Sequence, residues 1–326
     1  MRPGIIGLGS YVPERVLTNQ DLEKMVETSD EWIRERTGIS FRRIADEDMA
    51  TSDLAAKAAR EAIEMAGVKP EDLDLIIGAT VTPDMMFPST ACIVQHEIKA
   101  TRAAAFDLSA GCTGFIYALT VAAQFVASGM YRNVLVFGAE ILSKIVDWQD
   151  RNTCVLFGDG AGAAVVSAVE SGGILESILG ADGGGKDLLF IPAGGSKEPA
   201  SFETVKGRKH FIKMNGNEVF KFAVKIMEES TRKVLEKANL TPQDVDLVVP
   251  HQANVRIIEA ATRRLNISKE KVMVNIDRYG NMSAASIPVA LYEAYKARKI
   301  KKGDKVVLVG FGAGLTWGAN LIEWSL

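Results

Sequence analysis

The feature that most constrains the fold of this chain is that its second half repeats its first. Pro70, Asp72, Asp74 and Leu75-Ile76-Ile77 reappear as Pro242, Asp244, Asp246 and Leu247-Val248-Val249, and Val134-Leu-Val-Phe-Gly138 reappears as Val306-Val-Leu-Val-Gly310. Positions 70 and 242 are 172 residues apart, and so are positions 134 and 306. One offset shared by two separate blocks predicts two copies of an α/β unit, each of about 160 residues. The copies meet near Gly172-Gly173, giving an N-terminal half over 1–172 and a C-terminal half over 173–326. Each half alternates apolar strand-like runs with helical patterns, so two open sheets covered by helices are expected. The chain has 326 residues, 47% of them apolar, enough to fill such cores.

The repeat also points to a site. An apolar run from Ala103 to Leu108 stops at small residues, and Thr113 to Ala127 reads as a helix apolar on nearly every face. Cys112 therefore falls on a strand-to-helix turn, where free N–H groups and the helix dipole are expected to lower its thiol pKa and to offer donors for an oxyanion. Gly111 and Gly114 beside it allow close approach of a substrate. With a one-residue slip, Asp277-Arg-Tyr-Gly280-Asn281 is the counterpart of Asp107 to Cys112, placing Asn281 on the matching turn. His251 follows the strand 247–249, and Gly312-Ala313-Gly314 follows the strand 306–309. All four features lie past the carboxyl ends of strands, the edge at which open α/β sheets bind ligands. Taken singly, each has a plainer reading: a buried small cysteine, a structural histidine, a turn asparagine.

Elsewhere the pattern predicts a strand over 3–13, helices over 19–36 and 51–66, the latter capped by Thr51-Ser52-Asp53, a buried strand ending at Gly78, a helix over 89–98 and a strand over 133–138. Cys154 to Gly160 and Ala163 to Ser167 read as two apolar runs joined at Asp159-Gly160, a hairpin. Gly180 to Lys186 fits G-x-x-x-x-G-K, but Asp187 and the following Leu-Leu-Phe-Ile-Pro192 do not begin a helix, so no P-loop is expected. Met85-Met86-Phe87 sits on a Pro-rich loop and must be covered, by the chain's own core, by an oligomer contact or by a bound ligand. Net charge −3 and a pI near 5.8 give no general attraction to nucleic acid or anionic membranes. No run reaches the roughly 18 apolar residues of a membrane span, and Met1-Arg2-Pro3 leads straight into strand-like Gly4-Ile-Ile without a signal peptide. A cytoplasmic protein is expected. Three cysteines and three histidines are scattered, so neither a disulfide framework nor a metal site is expected, and Cys92 and Cys154 read as buried or hairpin residues.

Six ordered blocks carry a family resemblance: Thr28-Ser-Asp-Glu-Trp32-Ile-Arg-Glu-Arg36-Thr-Gly-Ile39, Asp107-Leu-Ser-Ala-Gly-Cys112-Thr-Gly-Phe115, Phe157-Gly-Asp-Gly-Ala-Gly162, Pro250-His251-Gln-Ala-Asn254, Tyr279-Gly-Asn281-Met-Ser-Ala-Ala285 and Gly310-Phe-Gly-Ala-Gly314. Over its whole length the chain resembles the β-ketoacyl-acyl-carrier-protein synthase III family, the initiating condensing enzymes of type II fatty acid synthesis within the thiolase superfamily. The resemblance implies a thiolase-like five-layered αβαβα sandwich made of two duplicated halves, the first carrying a nucleophilic cysteine and the second a histidine and an asparagine, in a homodimer. It implies the triad Cys112, His251 and Asn281, with backbone N–H groups of Cys112 and Ala313 as oxyanion hole. Ala313 stands where many members have glycine, a change that matters only if the position needs positive φ.

The same resemblance implies that CoA is held by Thr28, Trp32, Arg36, Arg151 and Asn254, and that Phe87 closes the acyl pocket of a neighbouring subunit. An acidic carrier protein implies a basic landing surface; Lys209, Lys213, Lys221, Lys225, Arg256, Arg263 and Arg264 are the candidates, and Lys221, Gln252 and Arg256 are favoured. The implied reaction is decarboxylative condensation of acetyl-CoA with malonyl-acyl-carrier-protein, giving acetoacetyl-acyl-carrier-protein, CoA and CO2, with no metal or redox cofactor. The alternatives are a related condensing enzyme priming a secondary-metabolite pathway, a Cys-His-Asn hydrolase, and a noncatalytic scaffold binding acyl carriers.

Overall fold

The computed structural model describes residues 2–326. Strand β1 (Arg2–Tyr11) leads into β2 (Val16–Thr18), helices α1 (Asn19–Glu23) and α2 (Asp30–Thr37), and β3 (Phe41–Arg43), which returns to pair antiparallel with β2. The single helix expected over 19–36 is thus two. Ser29 is extended and accepts from Trp32 N at 3.1 Å, an N-cap that starts a new helix. Helix α3 (Thr51–Ala66) is capped differently from expectation: Ala50 is the cap residue and donates its N–H to Asp53 Oδ2 at 2.7 Å. Thr51 and Ser52 lie inside the first turn and bind Thr82 O and the Asp84 carboxylate.

The first half continues with β4 (Leu75–Ala79), α4 (Thr90–Glu97), β5 (Ala104–Leu108), α5 (Gly114–Ala127), β6 (Val134–Ile141), α6 (Arg151–Cys154) and β7 (Asp159–Val169). No hairpin forms at 154–167; α6 is followed by the one strand β7. Asp159 is not a turn residue but a buried acceptor, taking hydrogen bonds from Ser143 N, Ser143 Oγ and Ala45 N. Cys154 is buried in α6, while Cys92, expected inside, is exposed.

The second half contains β8 (Gly173–Ala181), β9 (Leu189–Phe190), α7 (Phe202–Lys206), β10 (Lys213–Met214), α8 (Gly216–Lys237), β11 (Leu247–Pro250), α9 (Val255–Arg264), α10 (Ile276–Tyr279), α11 (Ser286–Lys296), β12 (Lys305–Gly312) and β13 (Thr316–Glu323). Two sheets result, ordered β1-β7-β6-β4-β5 and β11-β12-β13-β8. The repeated blocks pair with each other in the same register: Leu75 opposes Val134 in the parallel pair β4–β6, and Leu247 opposes Val306 in β11–β12. The counterpart of β5 is reduced to a bridge between Val248 and Val272, which is why the second sheet has four strands and the first has five.

Packing stacks these sheets into five layers. On one outer face, Leu54, Ala58 and Ala62 of α3 and Val94 of α4 meet Leu135, Phe137 and Val165. On the other, Ala223, Met227 and Val234 of α8 and Ile258 of α9 meet Val248, Val307 and Leu321. Helices α5 and α11 fill the middle, with Phe115, Leu119, Ile287 and Leu291 touching both sheets through Ile77, Val136, Val249 and Leu308. A central helix must be apolar on two sides, which explains the composition of α5. Each fully buried large aliphatic side chain there contributes about 1.5–3 kcal/mol. The layered αβαβα architecture is the one expected. Among the described residues no helix is long and apolar enough to cross a membrane.

Candidate active site

The middle layer sets the site, because the turns that begin α5 and α11 face each other across the junction of the halves. Before α5, a 3-10 turn over Gly111–Thr113 carries Cys112. Gly111 has φ +54°, and a Cβ there would lie 2.8 Å from Ala313 N; a Cβ on Gly312 would lie 2.5 Å from Cys112 N. Only glycines let these two backbone segments touch, and the contact brings the backbone nitrogens of Cys112 and Ala313 to one seam. Ala313 is not among the residues with positive φ, so alanine is accommodated there without strain. Thr113 Oγ1, Thr316 Oγ1 and the carbonyls of Ala110 and Ala313 hydrogen-bond as one cluster that rivets the two turns together.

Cys112 is buried, and burial pushes its thiol up to about 12, with a nearby Ser283 hydroxyl acting in the opposite direction and the charge of Glu140 adding to the rise. Burial thus acts against the lowered thiol pKa expected from the helix terminus. The helix dipole is present, but taking the sulfur out of water outweighs it.

His251 follows β11, its N–H donating to Val309 O at 2.8 Å. The ring packs edge-on against Phe311, with neither nitrogen bonded to a protein group, and burial alone lowers its pKa to about 3. Burial thus favours the neutral imidazole. Asn281 is held by Leu156 O, which accepts its N–H at 2.9 Å, and by Gly158 N, which donates to its carbonyl at 3.0 Å. Its side-chain Oδ1 accepts from Ser283 N at 2.8 Å, leaving the amide nitrogen to donate elsewhere.

Cys112, His251, Asn281 and Gly312 line one cavity of about 250 Å³, which Trp32, Arg36 and Asn254 also line. A second chamber, also about 250 Å³, continues beyond Cys112 and is lined by Val81, Leu142, Ile145, Phe157, Leu189 and Ile212, together with Ser283. Such an arrangement offers a sulfur nucleophile, two backbone donors for an oxyanion and two uncharged side-chain donors at the meeting of a polar-mouthed channel and an apolar pocket.

The remaining predicted residues divide. The Arg151 guanidinium lies over the Trp32 ring at 4.9 Å, and its Nη1 donates to Glu27 O. Asn254 caps α9 by accepting from Arg256 N and donates to Arg36 O, joining the halves. Thr28 does not reach the cavity lining; its Oγ1 is buried without a partner. Phe87 is 84% exposed and Met86 81%, so this loop does not fold back on its own core. Lys221 is paired with Glu218, Lys209 with Glu198, Lys225 with Glu229 and Arg264 with Glu228. Arg256 is exposed, rests on Phe220, and has no carboxylate in ion-pair range among the described residues. Gln252 corrects the expectation of a carrier contact. It is fully buried, its amide bound to Pro250 O, Met273 O and Asn275 N, so it braces the His251 turn from within.

Two residues of the site escaped sequence reasoning. Glu140 is fully buried at the end of β6, and Ser283, buried beside Cys112, has φ +46°. An acid inside the otherwise apolar run Val134–Ile141 was the available signal for the first.

Comparison with known proteins places the chain beside one family. Residues 106–183 match the family described as 3-oxoacyl-[acyl-carrier-protein] synthase III, and residues 235–324 match its C-terminal family. The chain is 65% identical over 323 residues to a β-ketoacyl-[acyl-carrier-protein] synthase III of Caldanaerobacter subterraneus subsp. tengcongensis, covering 99% of this chain and 98% of that one. It is 60% identical to the protein of that description from Clostridioides difficile, covering 100% and 99%. Among solved structures, 3-oxoacyl-[acyl-carrier-protein] synthase III of Aquifex aeolicus VF5 superposes with a TM-score of 0.92 at 54% identity, over 99% of this chain and 100% of that one. The priming β-ketosynthase of the R1128 polyketide pathway superposes with the same score at 36% identity, over 99% and 97%.

Proposed function

The chain belongs to the 3-oxoacyl-[acyl-carrier-protein] synthase III family, and from that premise we propose that Cys112, His251 and Asn281 are its catalytic residues. It is an acyltransferase that condenses acetyl-CoA with malonyl-acyl-carrier-protein, initiating fatty acid synthesis. The observation that carries the assignment of residues is that these three side chains line one cavity at the junction of the sheets.

In the first half-reaction Cys112 Sγ attacks the thioester carbonyl, the backbone N–H groups of Cys112 and Ala313 bind the oxyanion, and CoA leaves. In the second, neutral His251 and the Asn281 amide donate to the malonyl thioester carbonyl. These bonds stabilise the enolate formed as CO2 departs, and its carbon attacks the acyl-cysteine. A protonated imidazole is not needed, which suits a histidine with so low a pKa. Every step is served by side chains and backbone, so the reading assigns no role to a metal or redox group. CoA would enter between Trp32 and Arg151, with Arg36 and Asn254 along its arm, and Phe87 of a second copy would close the apolar chamber in a homodimer. Arg256, an unpaired cation on α9 next to the cavity-lining Asn254 and Ile257, would meet the acidic carrier. The proposal keeps the division at 172/173, with the nucleophile in one half and its two donors in the other, and a cytoplasmic location.

Incubation with radiolabelled acetyl-CoA should label the protein, and Cys112→Ala should abolish the label. Mass spectrometry after addition of malonyl-carrier should find acetoacetyl-carrier. Free acetate as the sole product would indicate a hydrolase, and failure to label the wild-type protein would defeat the assignment. The secondary-metabolite reading is the weaker one, since identity to the R1128 enzyme is 36% against 65% for a synthase III.

A further inference from the structure

We propose that Ser283 relays, and Glu140 receives, the proton that leaves Cys112 when its sulfur attacks an acyl thioester. The inference rests on Cys112 being the acylated nucleophile.

Attack requires the S–H bond to break, and the site holds few acceptors. His251 is too weak a base, with its pKa near 3. Glu140 is different. It is fully buried and has no cation in ion-pair range among the described residues, so nothing on the protein neutralises it. Its carboxylate instead accepts from Val81 N and Thr82 N, both at 3.1 Å, from Thr82 Oγ1 at 2.6 Å and from Thr80 Oγ1 at 3.2 Å. Burial raises its pKa to about 7 despite these donors, well above the ordinary carboxyl range. A carboxyl kept in this state is costly as mere scaffolding and useful as a proton store.

Ser283 supplies the link. It is 3% exposed, shares the apolar chamber with Cys112, and its hydroxyl has no hydrogen-bond partner among the described residues. Its φ of +46° is a conformation a serine adopts only under constraint. The constraint is visible: Ser283 N is held by Asn281 Oδ1, and the 283–285 turn lies flat on β6, where a Cβ on Gly138 would come within 2.2 Å of Ala284 O. The hydroxyl thereby lies in the chamber shared with Cys112 and beside β6, unpartnered, and it eases ionisation of both the thiol and the Glu140 carboxyl. The groups facing Glu140 are Thr80, Val81 and Thr82 after β4, Ser283 before α11 and Cys112 before α5. On neighbouring β7, Gly160 lies opposite, and the Asp159 carboxylate is turned towards Ser143 and Ala45.

The step balances within the protein. As Sγ bonds the carbonyl carbon, its proton passes to Ser283 Oγ while the serine proton passes to a Glu140 oxygen. When the tetrahedral adduct collapses, the carbon–sulfur bond to CoA breaks, and the stored proton returns through Ser283 to the departing sulfur.

The test separates the half-reactions. In Glu140→Gln and in Ser283→Ala, single-turnover loading of Cys112 from acetyl-CoA should slow by about 100-fold, while malonyl-carrier decarboxylation by protein acetylated to completion beforehand should stay near the wild-type rate. Loss of the anion in Glu140→Gln should also move the pH midpoint for iodoacetamide alkylation of Cys112 downward, which a packing role alone would not do. Ser283→Ala leaves the four donors of Glu140 in place, so it decides the matter if Glu140→Gln fails to fold. Normal loading, equal loss in both half-reactions, or an unmoved alkylation midpoint overturns the relay. Wild-type protein that never acylates at Cys112 would instead defeat the assignment of the nucleophile.

Discussion

At the scale of single residues, function turns on which groups are charged. The cysteine, histidine and asparagine were legible from their places after strands, and the backbone donors from the glycine turn. The state of the thiol was not. A helix N-terminus can be read from sequence, whereas the burial that lifts the thiol to about 12 comes from packing of the opposite half, hundreds of residues away in parts. His251 shows the same effect in the other direction, and its low pKa has a consequence for stability. The unfolded chain protonates this imidazole near its ordinary pKa of about 6.5, whereas the folded protein resists protonation down to about 3. Its contribution is therefore full above about pH 6.5 and drains as pH falls towards the folded value. His251→Asn should consequently lose less melting temperature than wild type between about pH 7 and about pH 4.5. Parallel losses in a thermal scan across that range would mean the ring ionises inside the fold.

At the scale of elements, the decisive contact is between two turns rather than two helices. Gly312 lies against Cys112 N so closely that an added methyl must push backbone aside. Gly312→Ala should slow acetyl loading by about 100-fold or more, because one oxyanion donor is displaced, while the circular dichroism spectrum stays native. Wild-type loading in that variant would show that the oxyanion is held elsewhere. Periodicity gave α3, α4 and α5 to within a residue or two, since each has a continuous buried face. It failed where a polar residue did something other than its commonest job. Ser29 restarts a helix inside a pattern that looked unbroken, and Asp159 anchors Ser143 and Ala45 from within a strand that looked like a turn. Asp-Gly signals a hairpin only when the aspartate is free to face water.

At the scale of the whole molecule, the repeat determined the architecture, because two copies of a half-covered sheet bury their exposed faces best against each other. The equal registers of Leu75 with Val134 and Leu247 with Val306 are the structural form of the shared offset. What no repeat could reveal is where the copies diverge: the lost fifth strand, the segment from β9 to β10 that walls the apolar chamber, and the distribution of unpaired charge. Lys221 and Lys225 are paired with their own helix neighbours and Lys209 with Glu198, which leaves Arg256 and Arg263 unpaired on α9 among the described residues. Arg256→Glu should raise the KM for malonyl-carrier by about tenfold or more while leaving acetyl-CoA loading intact, as expected for a single surface charge reversed against an acidic partner. Equal loss in both half-reactions, measured separately, would remove it from the docking face.

The contact between Arg151 and Trp32 bears on the start of every catalytic cycle. Ring and guanidinium touch at 4.9 Å, whereas a flat heterocycle layered between them needs roughly 3.5 Å on either side. On the proposed reading the doorway stands shut when idle, and the incoming nucleotide must prise it open, giving up an attraction of about 0.5–1 kcal/mol and replacing it with two stacking faces. Thioesters without such a heterocycle gain nothing from that latch, so the entrance favours CoA for loading, while the malonyl-carrier must draw its affinity from contacts outside it.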